Sequence, residues 1–125
     1  MSAKLDIVSI GMVTAVGLDA PSSCAAMRAG LDGFQETRLV GSSSERLVGA
    51  PVSLPRNWIG EKRLAHLAAA AICEAFEARP EARGRAPLLL CLAENDCPGR
   101  PYGDGATLLR QIADIAEIEP IRSRA

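Results

Sequence analysis

The stretch Leu5 to Gly17 constrains this chain more than any other. It opens with a short apolar run containing Ile7, Val8 and Ile10, broken by Gly11 and again by Gly17. β-Branched residues flanked by glycine read as a buried strand that leaves through a tight turn. The run does not read as a secretory signal. Its only basic residue is Lys4, it is short, and Asp6 sits inside it.

A strand at this point needs neighbours, and 125 residues supply one domain's worth of chain with a modest core. Apolar residues make up 48% but aromatics only 3%, so that core is built from Ala, Leu, Ile and Val. One Trp, one Tyr and two Phe are too few for the stacking platforms that bind single-stranded nucleic acid. A net charge of −1 with scattered basic residues excludes the electrostatic footprint of a nucleic-acid or anionic-membrane partner. The apolar runs fall far short of the ~20 residues of a membrane helix.

The four cysteines, Cys24, Cys73, Cys91 and Cys97, form no CxxC pair, and His66 is the sole histidine. That pattern argues against a zinc site. It is the pattern of reduced thiols in a cytoplasmic protein.

Beyond the first strand, Asp19 is a good helix N-cap and Pro21 suits a first turn. Cys24, Met27 and Leu31 then give one apolar face, and Gly30 a stop, so a helix is expected from Ala20 to Ala29. Phe34 is expected to plug the core under that turn. Gly41 to Ser44 reads as a loop or a hairpin tip; in the latter case Arg38 to Val40 pairs across it with a strand at Leu47 to Val52. Gly49 and Pro51 make the latter an edge strand.

The segment Leu54 to Gly60 is a connector in which Trp58 reads as an anchor rather than a partner-binding surface. Leu64, Leu67, Ala68, Ala71, Ile72, Ala75 and Phe76 form a continuous stripe, predicting a helix from Glu61 to Ala78 that packs closely on a sheet. Pro80 ends it. Pro87 to Ala93 is a second apolar run and reads as a two-sided buried parallel strand. Asp104 and Gly105 then open a last helix, from Ala106 to Glu117. The order β-α-β-α-β-α predicts an α/β layered fold.

Few residues suggest chemistry. Asp96 and Cys97 follow the predicted strand at its carboxyl end, where sites collect in open α/β sheets. A reactive cysteine needs a base, a cation or a helix N-terminus. Arg100 is near Cys97 but no histidine is, and the segment reads as a plain loop. Gly103 and Gly105 do not form a phosphate loop, lacking the Gly-Lys-Ser/Thr ending and a strand directly before them. His66 has no cysteine or carboxylate in ligand register and reads as a surface or boundary residue. No catalytic, cofactor-binding or metal-binding residue is assigned, and no cofactor is expected.

Ile7 to Gly17 resembles the amino-terminal strand and turn of β-ketoacyl synthases of the thiolase fold, with Gly11-Met12 as the Gly-Met pair and Ala15 where proline is usual. Met27 to Gly33 is similar to the end of that family's first helix. Leu64 to Phe76 and Leu88 to Leu92 resemble its next helix and strand. The resemblance covers roughly residues 5–93. Within the superfamily, residues 8–38 and 47–64 look like the thiolase-like proteins of bacterial type VI secretion effector clusters, which are often labelled 3-oxoacyl-carrier-protein synthase.

The resemblance implies a partial thiolase-like mixed sheet with Leu5–Ile10 as its central strand, and residues 1–125 as the amino-terminal, truncated part of such a domain. In the family a cysteine nucleophile attacks an acyl thioester and two histidines, or a histidine and an asparagine, assist. None carries over here. Cys91 falls inside a strand, Cys97 lacks the family motif, and His66 is alone.

The implied function is that of a non-catalytic accessory or adaptor protein assisting a type VI secretion effector. The alternative is the amino-terminal fragment of an active β-ketoacyl-carrier-protein synthase, an acyltransferase with its catalytic residues downstream. The plain alternative is a small α/β domain in which the matches are only patterning. With material for three strands where the family has five, the open edge of Leu5–Ile10 implies a protein partner. That partner is an effector, a neighbouring adaptor, the missing carboxyl-terminal part, or a second copy in a homodimer.

Overall fold

A computed structural model describes residues 4–94, 97–98 and 104–118. The chain divides into two compact units, one spanning Met12–Arg56 and the other Met1–Gly11 with Asn57–Ala125. Among the described residues it is a mixed α/β protein of three α-helices and a two-stranded antiparallel sheet.

In the Met12–Arg56 unit, helix α1 spans Ala20–Arg28. Asp19 caps it as expected, its Oδ1 accepting from the Ser22 N–H at 2.7 Å. The stop at Gly30 is a Schellman turn. Gly30 takes φ +74°, the Leu31 N–H reaches the Ala26 carbonyl, and the Gly30 N–H reaches that of Met27. Strands β1 (Gln35–Val40) and β2 (Arg46–Gly49) pair antiparallel, with Gln35 opposite Gly49 and Val40 opposite Arg46. The expected hairpin therefore forms around the serine tip. Its second strand stops before Pro51, which has no N–H to give a ladder.

This unit buries little. Ala20, Ser23 and Ala26 are its buried residues among those described. The face of α1 turned inward is thus one position off the expected Cys24–Met27–Leu31 stripe, and Met27 and Leu31 are exposed. Small residues win that face because the Thr14–Gly17 bridge presses directly on it: Gly17 lies so close to Ser23 that a Cβ there would collide with the Ser23 backbone. Phe34, expected to plug a core, is exposed, because no second layer in the unit offers it a pocket.

In the other unit, helices α2 (Gly60–Glu77) and α3 (Gly105–Ala116) pack on one another. Ala65 and Ala69 of α2 meet Leu108, Ile112, Ala113 and Ala116 of α3, with Ile118, Ile72, Phe76 and Leu88 filling the margins. Alanines let the helices approach closely, and Ile112 is fully buried. Asp104 caps α3 through the Ala106 N–H. Both helices begin and end within one residue of their predicted bounds.

The predicted sheet is where structure and sequence reading part. Leu5–Ile10 is not a central strand, and it joins no ladder among the described residues. Pro87 to Ala93 is not a strand either. The described order is α1-β1-β2-α2-α3 with a 3-10 turn at Pro80–Ala82, in place of β-α-β-α-β-α. The physical reason is that a strand exists only through a neighbour's backbone donors and acceptors. The predicted strands find none here, and the burial that α2 was expected to spend on a sheet goes largely to α3.

Candidate interaction surface

The end of Leu5–Ile10 nonetheless touches α2. The Ser9 hydroxyl donates to the Ala75 carbonyl at 2.6 Å, and Gly11 lies directly on the Ala71 carbonyl, where a Cβ would overlap it. Two residues of the segment thus match four of the helix. Four helical residues rise ~6 Å, which two residues of chain span only when extended, at ~3.3 Å each. Ser9 to Gly11 thus run extended and antiparallel to α2.

Its apolar side chains gain nothing from that placement. Leu5 is 94%, Ile7 88%, Val8 66% and Ile10 56% exposed. Four large aliphatic side chains within six residues are thus open to solvent. Residues 87–92 repeat the arrangement on a smaller scale. Leu88 and Leu90 pack against the α2–α3 core while Leu89 between them is 87% exposed. That alternation of exposure over Leu88–Leu90 is strand-like, although the sequence run is uniformly apolar and no second strand pairs with it.

The residues weighed for chemistry do not converge. Cys24 and Cys73 are half-buried free thiols, and Cys91 and Cys97 are exposed free thiols. The Cys73 Sγ faces the Ala116 carbonyl at 4.0 Å. The Cys97 N–H donates to the Glu94 carbonyl in a turn. Asp96, Arg100 and Gly103 lie outside the described residues. Among the described residues, no cluster of three or more His, Cys, Asp or Glu side chains is placed to hold a metal ion. Nor is any helix among them long and apolar enough to cross a membrane.

His66 is instead stacked on Trp58, ring centroids 3.5 Å apart and planes 13° from parallel. Trp58 is half-buried and serves as the anchor the connector was expected to carry. The stack itself was not foreseen; the signal for it was the placement of the sole Trp two residues before a helix that carries the sole His.

Among the described residues, the Asp19 carboxyl is shifted by its surroundings. Hydrogen bonding from Ser22, hydroxyl first and backbone N–H second, holds the Asp19 carboxyl below its usual range. This is a cap's electrostatics, in an exposed position, and has no chemical role.

No protein-family model, no curated protein and no solved structure matches the chain.

Proposed function

We propose that this chain is a non-catalytic accessory or adaptor protein of thiolase-like build that acts in the cytoplasm by pairing with an extended apolar strand of a type VI secretion effector. The observation that carries the reading is the segment Leu5–Ile10, tied to α2 at Ser9 and followed by Gly11 seated on Ala71, with four large aliphatic side chains open to solvent. Strand addition is a common mode of peptide recognition, and it is favoured where part of the receiving segment is already tied in place. Pairing there would also turn the α2–α3 layer and the strips at 5–10 and 87–92 into the layered α/β arrangement the sequence resembles.

The test uses the chain mixed with the effector encoded beside it, read by size-exclusion chromatography with light scattering. A stoichiometric complex is expected, abolished by Ile7→Lys with the circular dichroism spectrum unchanged, since Ile7 is almost wholly exposed. A complex indifferent to Ile7→Lys overturns the surface. Transfer of an acyl group from an acyl carrier protein to the full-length gene product overturns the non-catalytic reading.

A further inference from the structure

We propose that the chain forms a two-fold homodimer in which the open edge of β1 pairs antiparallel with β1 of a second copy, centred on Thr37. The hairpin is a sheet of two strands, so β1 has one edge that no described strand covers. Such an edge is a template for another chain. It lies in the Met12–Arg56 unit and is independent of Leu5–Ile10.

The hairpin's own hydrogen bonds show which residues that edge presents. At the tip the Gly41 N–H donates to the Glu45 carbonyl. Opposed residues in an antiparallel pair alternate between hydrogen-bonded and non-hydrogen-bonded. Val40 opposite Arg46 is therefore a non-hydrogen-bonded pair, and so is Glu36 opposite Val48, two residues further along β2. The backbone N–H and C=O groups of Glu36 and Val40 thus point away from β2.

Between them, Thr37, Arg38 and Leu39 have no partner in the β2 register. The Thr37 hydroxyl fills the gap, donating to the Leu47 carbonyl at 2.8 Å and accepting the Leu39 N–H at 3.2 Å. Leu39 is thus engaged within the hairpin, and Arg38 shares the outward parity of Glu36 and Val40. Pairing across the open edge gives this stretch the ladder that β2 does not.

A two-fold pairing must match outward residues with outward residues. Three such registers centre on the middle of β1. With Glu36 on the axis, the two copies of Glu36 oppose each other. With Arg38 on the axis, the two arginines do. With Thr37 on the axis, Glu36 meets Arg38 of the second copy twice, Gln35 faces Leu39, and the two threonines meet at the centre. The exposed side chains of Phe34 and Val40 meet at each end, where the Phe34 N–H stays on Asp32 Oδ1. Opposite-charge, aromatic–β-branched and Thr–Thr pairs all favour a sheet, and like charges directly opposed disfavour it. Charge complementarity therefore selects the Thr37 register. Glu36 is open to it, since its ion pair with Arg46 is long, at 4.0 Å, and largely exposed. The two-fold closes the edge within a dimer.

Phe34 to Val40 makes a small interface, so the dissociation constant should be on the order of 100 μM. Sedimentation equilibrium of the full chain between about 10 μM and 1 mM should show a mass rising from 13.1 kDa towards twice that value. Arg38→Glu and Glu36→Arg each set like charges opposite one another twice, and each should weaken the dimer at least tenfold. The double variant Glu36→Arg/Arg38→Glu exchanges the charges and should return the dissociation constant to within about threefold of the wild type. Both side chains are exposed, so the circular dichroism spectrum should be unchanged in all three. Ile7→Lys should leave the dimer intact. A wild-type chain that stays at 13.1 kDa throughout that range overturns the proposal, as does a double variant no tighter than the single ones. A dimer that survives both single variants, or one that Ile7→Lys dissolves, overturns it as well.

Discussion

Ser9 and Ala75, 66 positions apart in the chain, are joined by a 2.6 Å hydrogen bond from hydroxyl to helical carbonyl. That bond and the seat of Gly11 on Ala71 hold the end of an apolar segment against α2, while its aliphatic side chains remain open. Ser9→Ala should cost about 1 kcal/mol, the net worth of one such bond. Urea denaturation should give a midpoint lowered by a corresponding amount from that of the wild type.

Gly11→Ala should be more severe than Ser9→Ala. The added methyl meets the Ala71 backbone, which cannot move without breaking the helix, so the segment must shift. Overpacking of this kind costs roughly 1–3 kcal/mol. Urea denaturation should give a lower midpoint than for Ser9→Ala.

Arg83 closes the far end of α3. Its Nη1 donates to the Ala116 carbonyl at 2.7 Å while its guanidinium lies 5.8 Å from the centre of the Phe76 ring. A cation that caps the negative end of a helix contributes about 1 kcal/mol, more where partly buried. Arg83→Met should lose roughly that amount and speed exchange in the last turn of α3. Arg83→Lys, which keeps the charge without the planar fork, should recover only part of it.

Ile112 has no exposed surface and sits between Ala65 and Leu108 at the centre of the helix pair. Ile112→Ala should destabilise the chain by about 2–5 kcal/mol, the range for emptying a buried aliphatic site. Thermal unfolding by circular dichroism reads it.

Asp19 sets a pH dependence of definite sign. Its folded-state carboxyl titrates below the unfolded one because Ser22 stabilises the charged form. The cap therefore contributes its full stabilisation above the unfolded value, and loses it as pH falls through the folded one, below about pH 4. Asp19→Asn keeps an acceptor oxygen for the Ser22 N–H without the charge. Its stability should fall less than that of the wild type between pH 5 and pH 3 in urea titrations.

The local elements were legible in the sequence for a local reason. Asp19, Pro21 and Gly30 bound α1, Asp104 opens α3, and the serine tip turns the hairpin. Each works through atoms within a few residues of itself, so each is written in a short window of sequence. The inward face of α1 was misjudged because the stripe Cys24, Met27, Leu31 says where apolar side chains lie, not which face a neighbour reaches. The candidate surface was legible only in outline: Leu5–Ile10 was singled out, but as a buried central strand.

What the sequence by itself determined is therefore the set of helices, their caps and the hairpin, since a capping oxygen or a left-handed glycine needs no distant partner. Only the tertiary structure decided that α2 spends its alanines on α3, that Trp58 closes on His66, and that Leu5–Ile10 joins no ladder among the described residues. A strand, unlike a helix, cannot satisfy its own backbone. Whether an apolar run becomes a core strand or an open strip depends on a neighbour that the run itself does not encode.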